Sequence, residues 1–315
     1  MHLLRARPGL ATDLVLMGVA LVWGSSYLVA KDLTLAAPVL VVLALRYAIS
    51  AVALGLVCRG ARERLPGRRE LAVGVVLGLT QAAVLTLETF GVSGTTATNA
   101  GLIISLTVVL TPLLDSAWRR RPIPAPFFVA AALAVVGVAL LVSGDGFRAP
   151  GRGDALMLAA AAVRAVHVTL IGRLTARRPS SSLVLTTVQA VVGAVVLSAA
   201  AAPALGQAVT RLPPAAWAQL AYLALACTVF AFLAQTWAIR RTSPSRASLL
   251  MGTEPVWAVL VGVSLGGEHL TAATAVGAAV VVGATYVGQH VERVHRLGTV
   301  AVAAPADAAR PVPTA

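Results

Sequence analysis

Apolar runs of about 20 residues, the length an α-helix needs to cross the hydrocarbon of a bilayer, recur along the whole chain. They fall at 12–30, 38–58, 71–91, 98–117, 125–143, 154–172, 183–202, 215–239, 246–265 and 271–289, each rich in Ala, Val, Leu and Gly. The connectors are short and hold the Pro, Arg and Ser, as in Arg119-Arg120-Arg121-Pro122 and Arg240-Arg241-Thr242-Ser243-Pro244. A chain written this way has lipid as its solvent. Its 315 residues are 58% hydrophobic and only 12% charged, whereas soluble domains carry about a quarter charged residues. The expected fold is an all-α polytopic membrane protein with ten transmembrane helices.

The formal net charge of +13 and the pI near 11.4 would raise nucleic acid as a partner if the basic residues formed one face. They instead form short runs between spans, and topology accounts for them. Lys and Arg in short loops accumulate on the cytoplasmic side. With the N-terminus inside, 19 basic residues fall in inside segments and 4 (Lys31, Arg148, Arg152, Arg211) outside, while Arg46 and Arg164 lie within spans. Both termini are expected in the cytoplasm of a multi-pass plasma-membrane protein. The first run follows Arg5 and Arg7 but holds Trp23, Ser25, Ser26 and Tyr27 and no clear small-residue cleavage site before Lys31, so it reads as a retained helix rather than a signal peptide. Residues 1–11 read as a cytoplasmic N-terminus and 290–315 as a disordered cytoplasmic tail. Cys58 and Cys227 fit neither a disulfide framework nor a zinc site.

The two halves resemble each other. Asp13 with Trp23 ten residues on matches Asp154 with Arg164, Pro112 matches Pro255, and Ala134-Val135-Val136-Gly137 matches Val280-Val281-Val282-Gly283. Units of five helices at 12–143 and 154–289 follow. Five is odd, so the second unit lies inverted relative to the first. Inverted repeats are how many carriers build two interconvertible openings around one midplane site.

The same residues carry a family resemblance. Trp23-Gly24-Ser25-Ser26-Tyr27-Leu28-Val29-Ala30-Lys31 resembles the first-helix signature of the EamA-type family in the drug/metabolite transporter superfamily. Thr95-Thr96-Ala97-Thr98-Asn99-Ala100-Gly101, on to Thr111-Pro112, is similar to its fourth helix. Ser245-Arg246-Ala247-Ser248-Leu249-Leu250, Thr253-Glu254-Pro255 and Gly267-Glu268 are similar to its ninth. The Gly-Glu pair of the family pattern is absent after the fourth helix, where Arg119-Arg120-Arg121-Pro122 stands instead. The resemblance, over about residues 12–290, implies a ten-helix carrier for amino acids, metabolites or drugs, often an exporter.

A charge at the centre of a span costs about 2.5–3.5 kcal/mol on insertion scales, so its retention needs a reason. Glu254 stands directly before Pro255, whose ring removes a backbone hydrogen bond and loosens the preceding turn, with Trp257 one turn on. A carboxylate there suits a cation, an amine or a proton; the plainer account is an ion pair with an arginine. Glu88, near the end of the third span with Gln81 two turns back, either lines a vestibule or snorkels to the surface. Arg164 and His167 share a face of the sixth span at i, i+3. Arg164 either holds a substrate carboxylate or pairs with Glu254 or Glu88, and His167 either titrates near neutral pH or is a bonded core residue. Arg46 reads as a structural anchor, which the family pattern also implies. Trp23, Ser26 and Tyr27 form a patch in the first span, and Asn99, Gln189 and Gln235 are neutral groups expected to point inward. The candidate substrate-binding set is Trp23, Ser26, Tyr27, Glu88, Asn99, Arg164, His167, Gln235, Glu254 and Trp257. Asp13 and Asp154 read as helix N-caps.

The expected function is secondary transport of a small organic solute, with export by alternating access and protons as a secondary expectation for the coupling ion. No cofactor, metal or nucleic-acid partner is expected, and no enzymatic activity. Two alternatives stand beside it. Gly91-Val92-Ser93-Gly94 fits a GxSG pattern, which would make Ser93 the nucleophile of an intramembrane serine protease, but a nucleophile needs a base within hydrogen-bond reach. A channel would show a ring of charge or a filter loop.

Overall fold

The computed structural model describes residues 8–120, 124–143, 151–176, 181–241, 247, 251–269 and 271–302, and no β-strand occurs among them. The helices are α1 (Pro8–Ala36), α2 (Val39–Gly60), α3 (Arg68–Ser93), α4 (Ala97–Ile104), α5 (Thr107–Arg119), α6 (Ala125–Ser143), α7 (Arg152–Thr175), α8 (Ser182–Arg211) and α9 (Pro214–Ala224). A π-helical turn, Leu225–Phe230, joins α9 to α10 (Ala231–Arg241). A 3-10 turn, Met251–Thr253, opens α11 (Glu254–Ser264), and α12 (Ala272–Val302) follows.

Seven stretches are long and apolar enough to cross a membrane: Ala11–Ala36, Val39–Gly60, Arg68–Ser93, Ala97–Trp118, Arg152–Thr175, Ser182–Arg211 and Pro214–Arg241. The apolar parts of α6 and α12 are shorter, at Ala125–Gly137 and Ala275–Gly288. The ninth expected span falls partly outside the described residues, since only Ala247 precedes Met251 there. Outward faces are apolar as lipid requires, with Val52, Leu56 and Val195 each at least 64% exposed. A water-soluble surface rarely tolerates so much exposed apolar area.

Helix starts follow local chemistry. Glu70 accepts the Gly67 N–H at 3.1 Å, Thr96 accepts the Asn99 N–H at 3.0 Å, and Asp154 accepts the Gly151 N–H at 3.0 Å, so side chains satisfy amides the helices leave open. Asp13 does not cap its helix, because α1 already begins at Pro8. Helix α12 continues through Val302, over the first part of the stretch expected to be a tail; 303–315 lie outside the described residues.

Two expected spans are interrupted. The fourth breaks at Ser105-Leu106, where Ser105 donates to the Leu102 carbonyl at 2.6 Å. The eighth widens at Leu225–Phe230, and its loosened backbone is bonded from outside: Trp23 Nε1 donates to the Cys227 carbonyl at 2.9 Å and Ser50 Oγ to the Ala224 carbonyl at 3.1 Å. Such compensation is what lets a helix loosen inside a membrane.

Corresponding elements of the two halves pack together, α2 on α8 and α6 on α12, while α3 packs on α7 and α8 and α1 on α11. Glycines set the spacing at the α3–α8 contact: a Cβ on Gly74 or Gly78 would fall within 3 Å of Val188 or Val192. That is the close packing expected of small-xxx-small faces. Glu63, Ser181, Ser182 and Arg240 meet at one end of the bundle. Thr95, Ala97, Asp154 and Glu268 meet at another group of helix ends.

Candidate functional site

The centre of the bundle is organised by one arginine. Arg164, midway along α7, places Nη1 3.1 Å from Glu254 Oε1 and Nη2 2.8 Å from Oε2. This two-point fork is the strongest ordinary form of a charge-assisted hydrogen bond. Both side chains are buried. Glu254 sits in the first turn of α11 rather than inside a continuous ninth helix, and Pro255 follows where no intrahelical N–H is needed. The partial positive charge of that helix start favours the carboxylate. From α1, the Tyr27 hydroxyl donates to Glu254 Oε1. The Trp23 ring lies under the guanidinium, 4.3 Å from centroid to Cζ, a cation–π contact. Phe232 of α10 meets Trp23 edge-on at 6.0 Å.

Around this core lies a cavity of about 20 Å³, room for about one water. Trp23, Ser26 and Tyr27 of α1 form one wall, Arg46 of α2 and Gln81 and Glu88 of α3 another. Arg164, Phe232 and Gln235 close it from the second half of the chain. A smaller space of about 10 Å³, bounded by Ser105, Thr107, Met251 and Glu254 among others, also touches Arg164. The Arg164 guanidinium is thus shared between two small cavities.

The remaining charges of the cavity are less committed. Glu88 Oε1 lies 3.7 Å from Arg164 Nη1, an ion pair without a short hydrogen bond. Glu88 therefore faces inward rather than snorkelling to the surface. Arg46 is 4% exposed and donates from Nε to Thr228 Oγ1 at 2.7 Å. Thr228, in the π turn, in turn donates to the Leu223 carbonyl of α9 at 3.0 Å. No ion pair within 4.0 Å joins Arg46 to an acid among the described residues.

Of the ten candidate residues, the cavity brings together Trp23, Ser26, Tyr27, Glu88, Arg164 and Gln235, with Glu254 directly behind Arg164. Ser26 donates to the Trp23 carbonyl at 2.7 Å, and Gln235 Nε2 approaches Met251 Sδ at 3.9 Å. His167 is 1% exposed and bonds through Nδ1 to Thr80 Oγ1 at 2.8 Å, on the α3–α7 contact and off the cavity wall. Asn99 lies in the first turn of α4 and Trp257 in the first turn of α11, both off the wall. Trp257 instead packs where Gly24 lets α1 approach: a Cβ there would meet Trp257 Cβ at 2.5 Å. The candidate set omits Arg46, Gln81 and Phe232, which also line the cavity. The first two carried a signal, an intramembrane cation and an amide seven residues from Glu88; Phe232 carried none.

The helix-end group at Thr95, Ala97 and Glu268 is held by backbone amides and carboxylates. Glu268 accepts the N–H groups of Ala97 at 2.7 Å and Thr98 at 3.0 Å, so it caps α4 from the far half of the chain. Thr95 Oγ1 donates to Asp154 Oδ1 at 2.7 Å. Beside it Gly94 and Gly153 touch backbone to backbone, leaving no space for a Cβ on Gly153. Ser93, the nucleophile of the protease alternative, is exposed and donates to the Phe90 carbonyl at 2.8 Å. His167 is bonded to Thr80 rather than to Ser93.

Comparison with known proteins agrees with this architecture. The sequence profile of the EamA-like transporter family matches twice, at residues 10–143 and 151–287. The uncharacterized inner membrane transporter YedA of Escherichia coli (strain K12) is 27% identical over 260 residues, spanning 81% of this chain and 83% of that one. An uncharacterized transporter of Archaeoglobus fulgidus is 28% identical over 270 residues, spanning 85% and 82%. A crystal structure with 19% sequence identity superposes with a TM-score of 0.66 over 90% of this chain and 97% of that one, a likeness of fold. Two matched repeats that together fill most of the chain, apolar membrane-length helices and relatives named as transporters lead to one conclusion: this multi-pass membrane protein belongs to the EamA-like transporter family.

Proposed function

We propose that the chain is a secondary carrier that exports a small organic solute by alternating access around the Arg46–Glu88 cavity, with both termini cytoplasmic. The observation that carries this reading is the division of charge at the centre. Arg164 and Glu254 satisfy each other through the fork, and Tyr27 completes Glu254. Arg46 and Glu88 line the same cavity with no direct ion pair between them. A cation and an anion on neighbouring helices of one wall, with the Trp23 and Phe232 rings lining the same cavity, suit a solute that carries both charges and some apolar surface. The cavity has room for about one water, so a solute enters only when one repeat moves against the other. Helices α1, α2 and α3 supply one side and α7 and α10 the other, as inverted-repeat carriers require.

Within this scheme the remaining candidates Asn99, His167 and Trp257 act outside the closed cavity. Asn99 and Trp257 sit beside the α1–α4–α11 contacts that would shift on opening. Protons are a candidate coupling ion at Glu88, whose carboxylate has the looser partner.

Counterflow with purified protein in liposomes tests the carrier reading, screening amino acids, nucleosides and cationic dyes. The expected result is saturable accumulation of at least one zwitterionic solute, lost in Arg46→Gln. Absence of exchange for every class, with the protein folded and inserted, overturns it. A pH gradient imposed across the same liposomes tests coupling: net flux that stays flat removes protons from the scheme.

A further inference from the structure

On the back of the helix that lines the cavity lies a second, larger concavity. It has a volume of about 680 Å³ and runs along α10, with Val15 of α1 on one flank and Leu183 of α8 on the other. Its wall is apolar through Phe230, Leu233 and Trp237, and its end is cationic, with Arg240 and Arg241. Phe230 is 41% exposed, so the groove opens on the outward, lipid-facing surface. Arg240 Nη1 donates to Ser182 Oγ at 2.8 Å, which holds its guanidinium at the mouth. Arg241 stacks on the Trp237 ring with Cζ 4.6 Å from the centroid.

The dimensions select an occupant. From Phe230 to Arg240 is ten residues, about 15 Å of helix, and half of a hydrocarbon core of about 30 Å is the same length. A molecule with an acyl chain against Phe230 and Leu233 has its headgroup level with the two arginines. Trp237 stands between, at the depth where indole rings settle in membranes. The charge there favours an anion. Two acids are near: Glu63, which accepts the Ser181 hydroxyl at 2.7 Å, and Glu70, whose charge reaches Arg240. Glu70, in the same connector, is taken by Arg64 at 2.9 Å. Connector 59–69 adds five arginines of its own.

We propose that the α1–α8–α10 groove seats an anionic phospholipid, its acyl chain along Phe230, Leu233 and Trp237 and its phosphate at Arg240 and Arg241. Helix α10 presents Phe232 and Gln235 to the solute cavity on its other side. The seated lipid therefore braces a wall of the transport site, and the proposal stands whether or not a solute is found.

The test uses full-length protein in nanodiscs containing phospholipids brominated along the acyl chain, which quench nearby tryptophan. Subtracting a Trp237→Phe sample isolates Trp237 from the other four tryptophans. Brominated phosphatidylglycerol should quench it at a lower mole fraction than brominated phosphatidylcholine. The preference should fall about fivefold for each of Arg240→Gln and Arg241→Gln, at about 1 kcal/mol per arginine near an anionic surface. Arg240→Lys with Arg241→Lys should keep most of it, which separates lost charge from lost fold. Equal quenching by both lipids in the wild type, or a preference that survives the double Gln variant, overturns the proposal. So does a Trp237 signal that no brominated chain reaches.

Discussion

Arg164 and Glu254 are joined by two parallel hydrogen bonds, of 3.1 and 2.8 Å, across the interface between α7 and α11. Both side chains are buried, with only the two small cavities beside them. Removing one partner of a buried pair leaves an uncompensated charge and typically costs about 3–5 kcal/mol, whereas replacing both by apolar groups is often neutral. Arg164→Ala is therefore expected to unfold at markedly lower temperature in detergent, and Glu254→Gln to lose less because the amide still accepts from Tyr27. The double variant Arg164→Met/Glu254→Met should recover most of the loss. Thermal unfolding of the four proteins checks this. A double variant no better than Arg164→Ala would mean the fork is not the main link.

Arg46 and Glu88 make the opposite prediction. Their charges are not spent on each other, so Arg46→Gln and Glu88→Gln should each lower solute exchange tenfold or more; Glu88→Gln should leave the unfolding temperature close to wild type, while Arg46→Gln should lower it modestly because it also gives up the bond to Thr228. A tenfold change corresponds to about 1.4 kcal/mol of lost solute binding. Counterflow run below the unfolding midpoint of every variant reads the difference. If both variants exchanged solute normally, the charged-wall reading of the cavity would fall.

Much of the fold is legible because lipid imposes so strict a pattern. Apolar runs and arginine-bearing connectors locate α2, α3 and α7 to within three residues, while α1 and α8 run six and nine residues past their expected ends. Glu88, Arg164 and Glu254 stand out because a charge in an apolar run has to be explained. What a linear reading misses are features made by distant partners. The π turn at Leu225–Phe230 is held from Trp23 and Ser50, and through Thr228 from Arg46, all from other helices. Glu254 opens a helix because a 3-10 turn precedes it, which Pro255 alone does not reveal. Glu268 was visible only as part of a family motif; its role as the cap of α4 needs the two halves side by side.

Glycine positions give a graded test of the packing. A Cβ on Gly101 would lie 2.1 Å from Ala258 Cβ, and one on Gly24 would lie 2.7 Å from the Glu254 carbonyl oxygen. Backbone and short side chains cannot yield, so Gly101→Ala and Gly24→Ala should each cost about 1–3 kcal/mol, the usual range for overpacking. Gly55 has nothing within 4 Å, and Gly55→Ala should be neutral or gain up to about 1 kcal/mol from helix propensity. Unfolding midpoints in one detergent rank the three. Equal midpoints would mean that α1, α4 and α11 are not packed this closely.

In the proposed carrier this helix-end group is the outer closure, and Glu268 links the halves there, its carboxylate accepting the amides of Ala97 and Thr98 at 2.7 and 3.0 Å. The charge also faces the positive end of α4, an interaction worth about 0.3–1 kcal/mol. Glu268→Gln keeps one acceptor oxygen and removes the charge, so the closure should loosen while the fold persists. A cysteine at position 81, in a background where Cys58 and Cys227 are replaced, reports on this because Gln81 lines the cavity and is 5% exposed. Its labelling by a membrane-impermeant maleimide, added outside to right-side-out vesicles, should accelerate several-fold in the Glu268→Gln protein. By the proposed topology Thr95, Asp154 and Glu268 face the exterior, so the same reagent trapped inside should show no such gain. Acceleration from the inside alone would place this closure on the cytoplasmic face and reverse the assigned orientation; no acceleration from either side would mean that Glu268 does not hold the cavity shut.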